Sequence, residues 1–502
     1  ALNAMRAHLR SLLRLKSFYE LDRLDMEVEA TLDTAAQDAV TEGLRRMMDT
    51  KGAKEAGLYG DRLLTGDPAG VVYSITLFER TPTANLVRVQ ADNMERPLDL
   101  NEGGKFDLGS TAKLRTLTTY LEIVAELHGR YAGDNKSQLK AVAEDAPDPL
   151  TRWAVDHLAG SADRSLGAMV DAAMQRKYSA STGETFFTGR GNHTFANFDK
   201  RHKGPMPVAE ALRHSVNLVF IRMMRDIVKY YQADGPDSVK DLLSDPAHPA
   251  RRAYLERFAD MEGKVFLDQF YKRYAKLDTD ASLSLLASRS RPVPHRLAVV
   301  FRSVRPAAPV AAFGRFLAAR LPQTHLSDTQ VQALFDKYGP DRFNLHDRGY
   351  IARLHPLELW LVEYLQAHPG AKRSEVVAAS AEERQAVYQW LFKSKRKRTA
   401  DSRIRIMAEE DAFKKVHASW RRQGYPFASL VPSLATAIGT SADRPAALAE
   451  LIGIILNDGI RLPSARIERI HLAEGTPFET HLRRAEGAGE RVLPSEVAQA
   501  LH

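Results

Sequence analysis

The chain has 502 residues, of which 44% are hydrophobic, 27% charged and 8% aromatic. This composition is that of a globular protein and excludes a disordered or fibrous chain, and the length predicts about three domains. The formal net charge of +8 would suit an acidic polymer or an anionic surface, but it is small for a chain of this size. Cysteine is absent, which excludes disulfides, thiolate metal sites and cysteine nucleophiles.

No uninterrupted apolar run reaches about 18 residues, the length that a membrane-spanning helix needs. The nearest candidate, Leu451 to Leu456, ends at Asn457-Asp458-Gly459. The N-terminus mixes Arg and His with Leu, begins without Met and shows no signal-cleavage pattern. We interpret the chain as a soluble piece, as expected if it is cut from a longer precursor.

In chain order, the first predicted elements are helical and are followed by two strands. Residues up to about 50 have a helical pattern, and Asp33 is placed to cap a helix. The stretches 71–78 and 85–90 are rich in β-branched residues, which predicts an antiparallel pair of strands. A long amphipathic helix is predicted from roughly Thr111 to His128.

The later parts of the chain differ in composition. Residues 183–204 are rich in Gly, Asn and aromatic residues, which predicts a loop, and one continuous helix is expected from near Val208 through Met223. From about 232 to 418 the sequence is charged, helix-forming and punctuated by proline, so we predict a separate, mostly helical unit. A buried helix over 446–456 and a strand over 466–472 are expected after it.

Ser110 and Lys113 form the first candidate catalytic pair. They follow Gly109 at the point where a loop becomes a helix. Residues three apart share a helix face, so the serine hydroxyl and the lysine amine can meet. A lysine buried at a helix start can have a pKa low enough to take the serine proton, and the helix N-terminus favours an oxyanion. The pattern therefore predicts a serine nucleophile with a lysine base.

The four-residue pattern Ser-x-x-Lys is a weak signal by itself. Ser137 and Ser394 also precede a lysine by three positions, and an exposed serine near an exposed lysine is the commoner explanation. Context distinguishes Ser110, because two predicted strands precede it and an apolar helix follows it. Ser137 lies in a polar loop and Ser394 in a basic run.

Ser215-Val216-Asn217 is the second candidate element and the one Ser-x-Asn of the sequence. It could be a polar interruption of a helix. Read as chemistry, the Ser215 hydroxyl can relay a proton to a leaving amine while the Asn217 amide orients a substrate carbonyl. The two elements in this order support each other.

These two elements occur with further landmarks in a defined order: Asn197-Phe198-Asp199, Gly204, Val208, Ala211-Leu212, and later Gly439-Thr440-Ser441, Pro445, Asn457, Gly459, Pro463 and Ile467. In this order they resemble the transpeptidase domain of class A penicillin-binding proteins. Residues 29–37 resemble the segment that joins the glycosyltransferase and transpeptidase domains of such proteins. The resemblance covers the chain up to about residue 230 and again after about residue 418.

The resemblance implies an α+β fold: a penicillin-binding/serine β-lactamase-like transpeptidase fold, in which an antiparallel sheet is flanked by helices, with a large helical insertion. Ser110 would attack the penultimate D-alanine carbonyl of a peptidoglycan stem peptide, and Lys113 would take its proton. D-alanine would leave with a proton relayed through Ser215, Asn217 would bind substrate, and an amine of a neighbouring stem peptide would resolve the acyl-enzyme. β-Lactams would be trapped at Ser110. No cofactor and no metal are expected.

The domain prediction that follows has four segments. Residues 1–60 form a linker segment, 61–231 the first part of the transpeptidase domain, 232–418 the helical insertion, and 419–502 the second part of the domain. The protein would work on the periplasmic face of the inner membrane, tethered by a segment outside this chain and linked to a glycosyltransferase.

The sequence departs from the family in its third motif. A Lys-Thr-Gly is missing, since the Thr-Gly pairs at Thr65, Thr182 and Thr188 follow no basic residue. The simplest interpretation is that the chain ends before that strand, in which case this chain alone would label weakly with penicillin. Asn217 and Gly439 also lie much farther apart than the family needs, and Leu114 stands where proline is common.

Four other candidates favour ordinary structural explanations. The acidic stretch Glu409-Glu410-Asp411 with His417 is expected to be an amphipathic surface helix. The basic run 393–398 is expected to be solvated. The alternatives are that it binds an anionic wall polymer or a phospholipid headgroup, or that the insertion binds a protein partner. No aromatic residues are interleaved with the run, so it does not favour nucleic acid. The remaining candidates are histidines without a metal-ligand spacing and aromatic residues that anchor a loop or wall a cleft: His193, His202 and His214, and Phe186, Phe187, Phe195 and Phe198.

Two rival functions stay open. A serine β-lactamase shares the first two elements but is usually shorter and needs a deacylating glutamate. A non-catalytic wall-binding or scaffold module would explain the missing third motif.

Overall fold

The computed structural model describes residues 2–60, 63–94, 99–189, 191–234, 238–389, 397–485, 487 and 489–502. The chain divides into two units. Unit 1 consists of residues 1–234 and 409–502, and unit 2 of residues 235–408. Unit 1 mixes helices with small sheets and is therefore α+β, whereas the elements of unit 2 are helical.

Within the described residues of unit 1, the strands form two three-stranded sheets and three two-stranded pairs, in place of the one antiparallel sheet that was expected. The strands are β1 Met26–Ala30, β2 Ser74–Arg80, β3 Asn85–Asp92, β4 Lys177–Ser179, β5 Thr185–Thr188, β6 Gly191–Thr194, β7 Pro205–Pro207, β8 Ile460–Arg461, β9 Ser464–Ala465, β10 Ile467–Leu472, β11 Thr480–Arg483 and β12 Glu490–Arg491. One sheet has the order β1-β10-β11 and is antiparallel. The other has the order β2-β3-β9, with β2 antiparallel and β9 parallel to β3. The remaining pairs are β4 with β7, β5 with β6 and β8 with β12.

Helices supply most of the core of unit 1. They are α1 Leu2–Leu12, α2 Phe18–Asp22, α3 Thr34–Arg46, α4 Thr50–Glu55, α5 Leu100–Gly103, α6 Ala112–Tyr131, α7 Lys136–Glu144, α8 Pro149–Gly160, α9 Leu166–Gln175, α10 Val208–Arg213 and α11 Asn217–Ala233, with α23 Pro445–Leu456 and α24 Ser495–Leu501 near the C-terminus. Short 3-10 helices cover Pro68–Gly70, Gly109–Thr111 and Leu434–Ile438.

The central helix of unit 1 is α6, which is buried on several faces. Leu117, Leu121, Val124 and Leu127 are inaccessible to solvent and pack in one cluster with side chains of α8, α9 and α11. Burying one such side chain stabilises a fold by about 1.5–3 kcal/mol. Because α6 carries Lys113 in its first turn and continues directly from the 3-10 turn that holds Ser110, this packing fixes the direction from which both side chains project.

Unit 2 is a helical body with its own core. Its helices are α12 Val239–Ser244, α13 Pro249–Tyr274, α14 Thr279–Arg289, α15 Pro294–Val304, α16 Val310–Arg320, α17 Asp328–Lys337, α18 Leu345–Ala352, α19 Pro356–Ala367, α20 Arg373–Ala379 and α21 Ala381–Tyr388, with a 3-10 helix at Pro340–Arg342. Helix α22, Lys397–Arg422, carries residues of both units. Buried side chains of α13, α15 and α19 form the centre of the cluster, among them Phe258, Phe301 and Leu361.

Several elements lie where the sequence predicts them. Asp33 caps α3 by accepting a hydrogen bond from Ala36 N at 2.9 Å. The predicted strand pair is β2 and β3, and the long helix is α6 with a 3-10 turn ahead of it. Residues 1–60, expected as a linker segment, belong to unit 1, where β1 pairs with β10. Among the described residues, no helix combines the length and apolarity needed to cross a bilayer.

Two predictions were wrong. The expected loop 183–204 contains the hairpin β5–β6, whose turn uses Gly189 at a φ of +57°. A positive φ is open to glycine at little cost, which suits Gly189 to the position where β5 ends. The expected continuous helix after Val208 is two helices, α10 and α11, because Ser215 adopts a φ of +52° and ends the first.

Candidate active site

Ser110 lies in the short 3-10 turn that leads into α6. The serine is exposed, whereas Lys113, one turn further on, has 1% of its surface accessible. The nucleophile candidate therefore faces solvent with a buried amine behind it. This arrangement suits a base that must be available in its neutral form.

Gly109 and Gly439 make a close backbone contact next to the serine. Both have positive φ, +55° and +108°, which a side chain would disfavour. A Cβ on Gly439 would lie 2.3 Å from the carbonyl oxygen of Gly109. Gly439 therefore brings the segment after the Leu434–Ile438 turn directly against the backbone that precedes Ser110. In the sequence Gly439 is only one of the landmarks of the resemblance. The close contact with Gly109 explains why this position needs a glycine.

Lys113 joins the two candidate elements. Its Nζ lies within hydrogen-bond distance of four oxygens: Ser110 Oγ at 3.0 Å, Ser215 Oγ at 2.9 Å, Ser215 O at 2.6 Å and Asn217 Oδ1 at 2.7 Å. An ammonium group can donate to three of them at a time. The structure thus brings together all four residues that were proposed from the sequence. Each acceptor is a hydroxyl or an uncharged carbonyl oxygen, so no carboxylate among these partners stabilises the ammonium form.

Burial lowers the pKa of Lys113 from its usual 10.5 to about 8. Removing an ammonium group from water without a compensating negative charge disfavours the charged form. With a pKa of about 8, roughly one lysine in ten is neutral at pH 7. The residue can therefore act as a base near neutral pH, which an exposed lysine cannot do.

Ser215 occupies a helix-ending position that normally favours glycine. Its N–H donates to Leu212 O at 3.0 Å and the N–H of Val216 donates to Ala211 O at 2.9 Å. These two bonds, with the left-handed φ of Ser215, make the Schellman motif that ends α10. A serine in this conformation stores backbone strain of about 1 kcal/mol or more, and such strain concentrates at functional sites.

Asn217 begins α11 and has both ends of its amide engaged. Its Oδ1 accepts from Lys113, and its Nδ2 donates to Ala196 O at 3.0 Å. The sequence suggested that this amide orients a substrate carbonyl. In the structure its oxygen helps to fix the position of the lysine, and since the amide nitrogen carries two N–H groups, the bond to Ala196 O does not use up its donors.

Asn197 supports the start of α11 through hydrogen bonds of its side-chain amide. Its Nδ2 donates to Ala180 O at 2.8 Å and to His202 O at 3.1 Å, while its Oδ1 accepts from Leu218 N at 3.0 Å. Asn197 therefore satisfies a free N–H in the first turn of α11 and ties that turn to the preceding loop. Its place in the Asn-Phe-Asp landmark was the sequence signal for this role.

A buried ion pair anchors α6 to the C-terminal part of unit 1. Arg115, inaccessible to solvent, donates from Nε to Asp443 Oδ2 at 2.6 Å and from Nη2 to Asp443 Oδ1 at 3.3 Å. The same guanidinium donates to Gln423 O at 2.9 Å and Ala447 O at 3.1 Å. The sequence gives no signal for this pair, since its members are far apart in the chain.

The other sequence candidates have mixed outcomes. Glu409 is not a surface residue, because only 7% of it is exposed and it accepts a hydrogen bond from Thr188 Oγ1 at 2.8 Å. The rings of His202 and His214 lie 5.0 Å apart, whereas His193 stacks on Phe195. Of the aromatic residues, Phe186 is buried in the core and Phe195 packs against it, while Phe187 and Phe198 are 47% and 81% exposed.

Of the other two Ser-x-x-Lys patterns, the one at Ser137 does not form a site like that of Ser110 and Lys113. Ser137 lies in the first turn of α7, and its N–H donates to the capping side chain of Asn135. Ser394 and the first residues of the basic run, 393–396, lie outside the described residues. Lys397 and Arg398 begin α22.

No protein-family model and no curated protein matches this chain. A solved structure of the penicillin-binding protein PonA1 from Mycobacterium tuberculosis aligns with 99% of this chain and 68% of its own, at 12% sequence identity and a TM-score of 0.38. A TM-score at this level is below that of proteins that share a fold. The chain thus has a distant structural neighbour among penicillin-binding proteins.

Proposed function

We propose that this chain carries the serine acyl-transfer site of a penicillin-binding D,D-transpeptidase that acts on peptidoglycan stem peptides. The observation that supports the proposal most is the position of Lys113 Nζ, 3.0 Å from Ser110 Oγ and 2.9 Å from Ser215 Oγ. A lysine of lowered pKa between two hydroxyls is the arrangement that a serine nucleophile and a proton relay require.

The proposed reaction uses the same lysine twice. Neutral Lys113 takes the proton of Ser110 as Ser110 Oγ bonds to the penultimate D-alanine carbonyl carbon. As the carbon–nitrogen bond breaks, the lysine proton passes through the Ser215 hydroxyl to the departing D-alanine amine. An amine of a second stem peptide then attacks the ester, and the serine regains its proton. Peptide N–H groups at the start of α6 are the candidate donors to the developing oxyanion.

Two alternative functions are less well supported by the site than a transpeptidase. A serine β-lactamase needs a carboxylate to activate the deacylating water, and none of the four oxygens within hydrogen-bond distance of Lys113 Nζ belongs to a carboxylate. A non-catalytic wall-binding module is favoured by the missing Lys-Thr-Gly. It does not explain why a lysine is buried without a counter-charge, since a vestigial site gains nothing from that cost.

The partners and location that go with the proposal are those of a wall synthase. Stem peptides and β-lactams would bind at Ser110, and the chain would act on the periplasmic face of the inner membrane, held there by a segment outside it. Unit 2 would bind a protein or an anionic polymer.

The test is covalent labelling of Ser110 with two reagents. A fluorescent penicillin needs the whole substrate cleft, whereas a small fluorophosphonate needs only an activated serine. We expect the fluorophosphonate to modify Ser110 in the 502-residue chain, and penicillin to label this chain weakly because the third motif is missing. Penicillin labelling should be stable in the longest chain that the coding sequence specifies.

The controls compare Ser110 with Ser137. Ser110→Ala should abolish modification by both reagents. Ser137→Ala, which removes the same Ser-x-x-Lys pattern at α7, should leave the labelling by both reagents unchanged. Rapid turnover of the penicillin adduct would favour the β-lactamase. An absence of stable adduct in the longest chain would refute the transpeptidase, and an unreactive Ser110 toward fluorophosphonate would favour the non-catalytic module.

A further inference from the structure

A pair of histidines, one exposed and one largely covered, lies on one face of the three-stranded sheet β1-β10-β11. His471 of β10 lies directly opposite His481 of β11. Arg484 N donates to Glu468 O, and since hydrogen-bonded pairs alternate along an antiparallel ladder, the histidines form a narrow pair without backbone bonds between them. Their rings stack with centroids 4.0 Å apart and planes 18° apart.

Glu479 completes a three-residue cluster. Its Oε1 lies 2.8 Å from His471 Nε2 and 3.3 Å from His481 Nε2, and the three atoms all lie within 4.8 Å of one another. Gly475 N donates to Glu479 Oε2 at 3.2 Å, which holds the carboxylate in place. Donors bound to one zinc ion at about 2.0–2.2 Å in a tetrahedral arrangement are separated by roughly 3.3 Å. The 3.3 Å between Glu479 Oε1 and His481 Nε2 matches this separation, whereas the 2.8 Å to His471 Nε2 is a hydrogen bond that would lengthen by about 0.5 Å around an ion.

The fold does not need these side chains for packing. Residues alternate between the two faces of a strand, and the opposite face of β10 carries Ile470 and Leu472, which pack with Leu9 and Leu21. Side-chain exposure is 14% for His471, 56% for His481 and 37% for Glu479, so an ion could reach all three from solvent.

We propose that His471, Glu479 and His481 bind a zinc ion. Two imidazoles and one carboxylate form a donor set that zinc prefers, and a fourth position is open to water. Glu27 of β1 lies directly opposite His471 on its other side, so it adds negative charge beside the site. The ion would tie β11, whose four residues are exposed, to the central strand β10.

The test is zinc binding by the full 502-residue chain, without a histidine tag and after treatment with a chelator. We expect titration against a chromophoric zinc indicator to give one tight site per chain, and cobalt substitution to give the visible absorption of a tetrahedral ion. His481→Ala should weaken binding at least about tenfold, the lower range seen when even an outer contact of a zinc ligand is lost. Zinc should also raise the melting temperature of the wild type and not that of this variant.

Glu479→Gln keeps the size of the side chain and removes only its charge, so it should weaken binding without affecting folding. His346→Ala is the matched control, because His346 is another half-exposed histidine beside an acidic residue, Asp347. It should leave zinc binding unchanged. A wild type that binds zinc no more tightly than His481→Ala, or a His346→Ala that weakens binding as much, would overturn the proposal.

Discussion

Replacing Ser215 should separate its two contributions, to catalysis and to backbone strain. Ser215→Ala and Ser215→Gly both remove the hydroxyl that lies 2.9 Å from Lys113 Nζ. They differ in the backbone, because alanine keeps a Cβ at a φ of +52° and glycine does not. The comparison of the two variants therefore isolates the strain.

The expected magnitudes follow from the conformation. A Cβ in the left-handed region costs about 1–2 kcal/mol, and the greater freedom of glycine in the unfolded chain offsets about 0.5–1 kcal/mol of that. Ser215→Gly should thus exceed Ser215→Ala in free energy of unfolding by about 0.5–1 kcal/mol. Both should slow the acylation of Ser110 by penicillin by about a hundredfold, the lower range for loss of a general acid–base group, because the nitrogen of the opened lactam leaves with a proton.

The assay pairs urea denaturation with the rate at which penicillin acylates Ser110 in the longest chain that the coding sequence specifies. Gly129 of α6 gives the reverse control, because it is an exposed glycine in a helix with free space for a Cβ. There, alanine should be the more stable residue, by up to about 1 kcal/mol. If Ser215→Gly is no more stable than Ser215→Ala, the strain argument is wrong; if either variant keeps the wild-type rate, Ser215 does not relay the proton.

Four further results are expected. Modification of Ser110 should rise about tenfold between pH 7 and pH 9 and then level off, because a base with a pKa of about 8 is largely deprotonated at pH 9; a rate that keeps rising to pH 10 would mean that Lys113 is not perturbed. Gly439→Ala should destabilise unit 1 and slow the same reaction, since its Cβ would clash with the backbone before the nucleophile; unchanged kinetics would show that this contact does not position it. Arg115→Met should lower the free energy of unfolding by about 3–5 kcal/mol, as it leaves the Asp443 carboxylate buried and unpaired, and urea denaturation that shows less than 1 kcal/mol would contradict this. Burial raises the pKa of Glu409, so the wild type loses stability as the pH rises above the usual pKa of a glutamate. The melting temperature of Glu409→Gln, measured against that of the wild type, should therefore be higher at pH 7 than at pH 4.

Elements with local signals could be predicted from the sequence. The cap at Asp33, the strands β2 and β3 and the helix α6 depend on the periodicity of apolar residues and on one capping side chain, all of which lie within a few neighbouring positions. The meeting of Ser110 with Lys113 also follows from helix geometry alone, and the 3.0 Å bond agrees with it.

The parts that could not be predicted depend on long-range packing. Nothing near Arg115 indicates that its partner is Asp443, and nothing near Glu409 indicates that Thr188 and the hairpin β5–β6 cover it. The break at Ser215 was missed for a different reason. A serine carries no preference for the left-handed region, so only the surrounding structure imposes that conformation.

The insertion of unit 2 between the two parts of unit 1 is thermodynamically less disruptive than its length suggests. The cost of closing a flexible loop grows only with the logarithm of its length, by about 0.6 kcal/mol for each doubling. Within unit 1, Lys415 Nζ donates to Asp234 O at 2.9 Å and to Asp234 Oδ2 at 3.3 Å, so the chain on the two sides of the insertion is already joined. The approach of Gly439 to Gly109 then depends on contacts inside unit 1, chiefly the Arg115–Asp443 pair. Changes within unit 2 should consequently leave the distance between Ser110 and Lys113 unchanged.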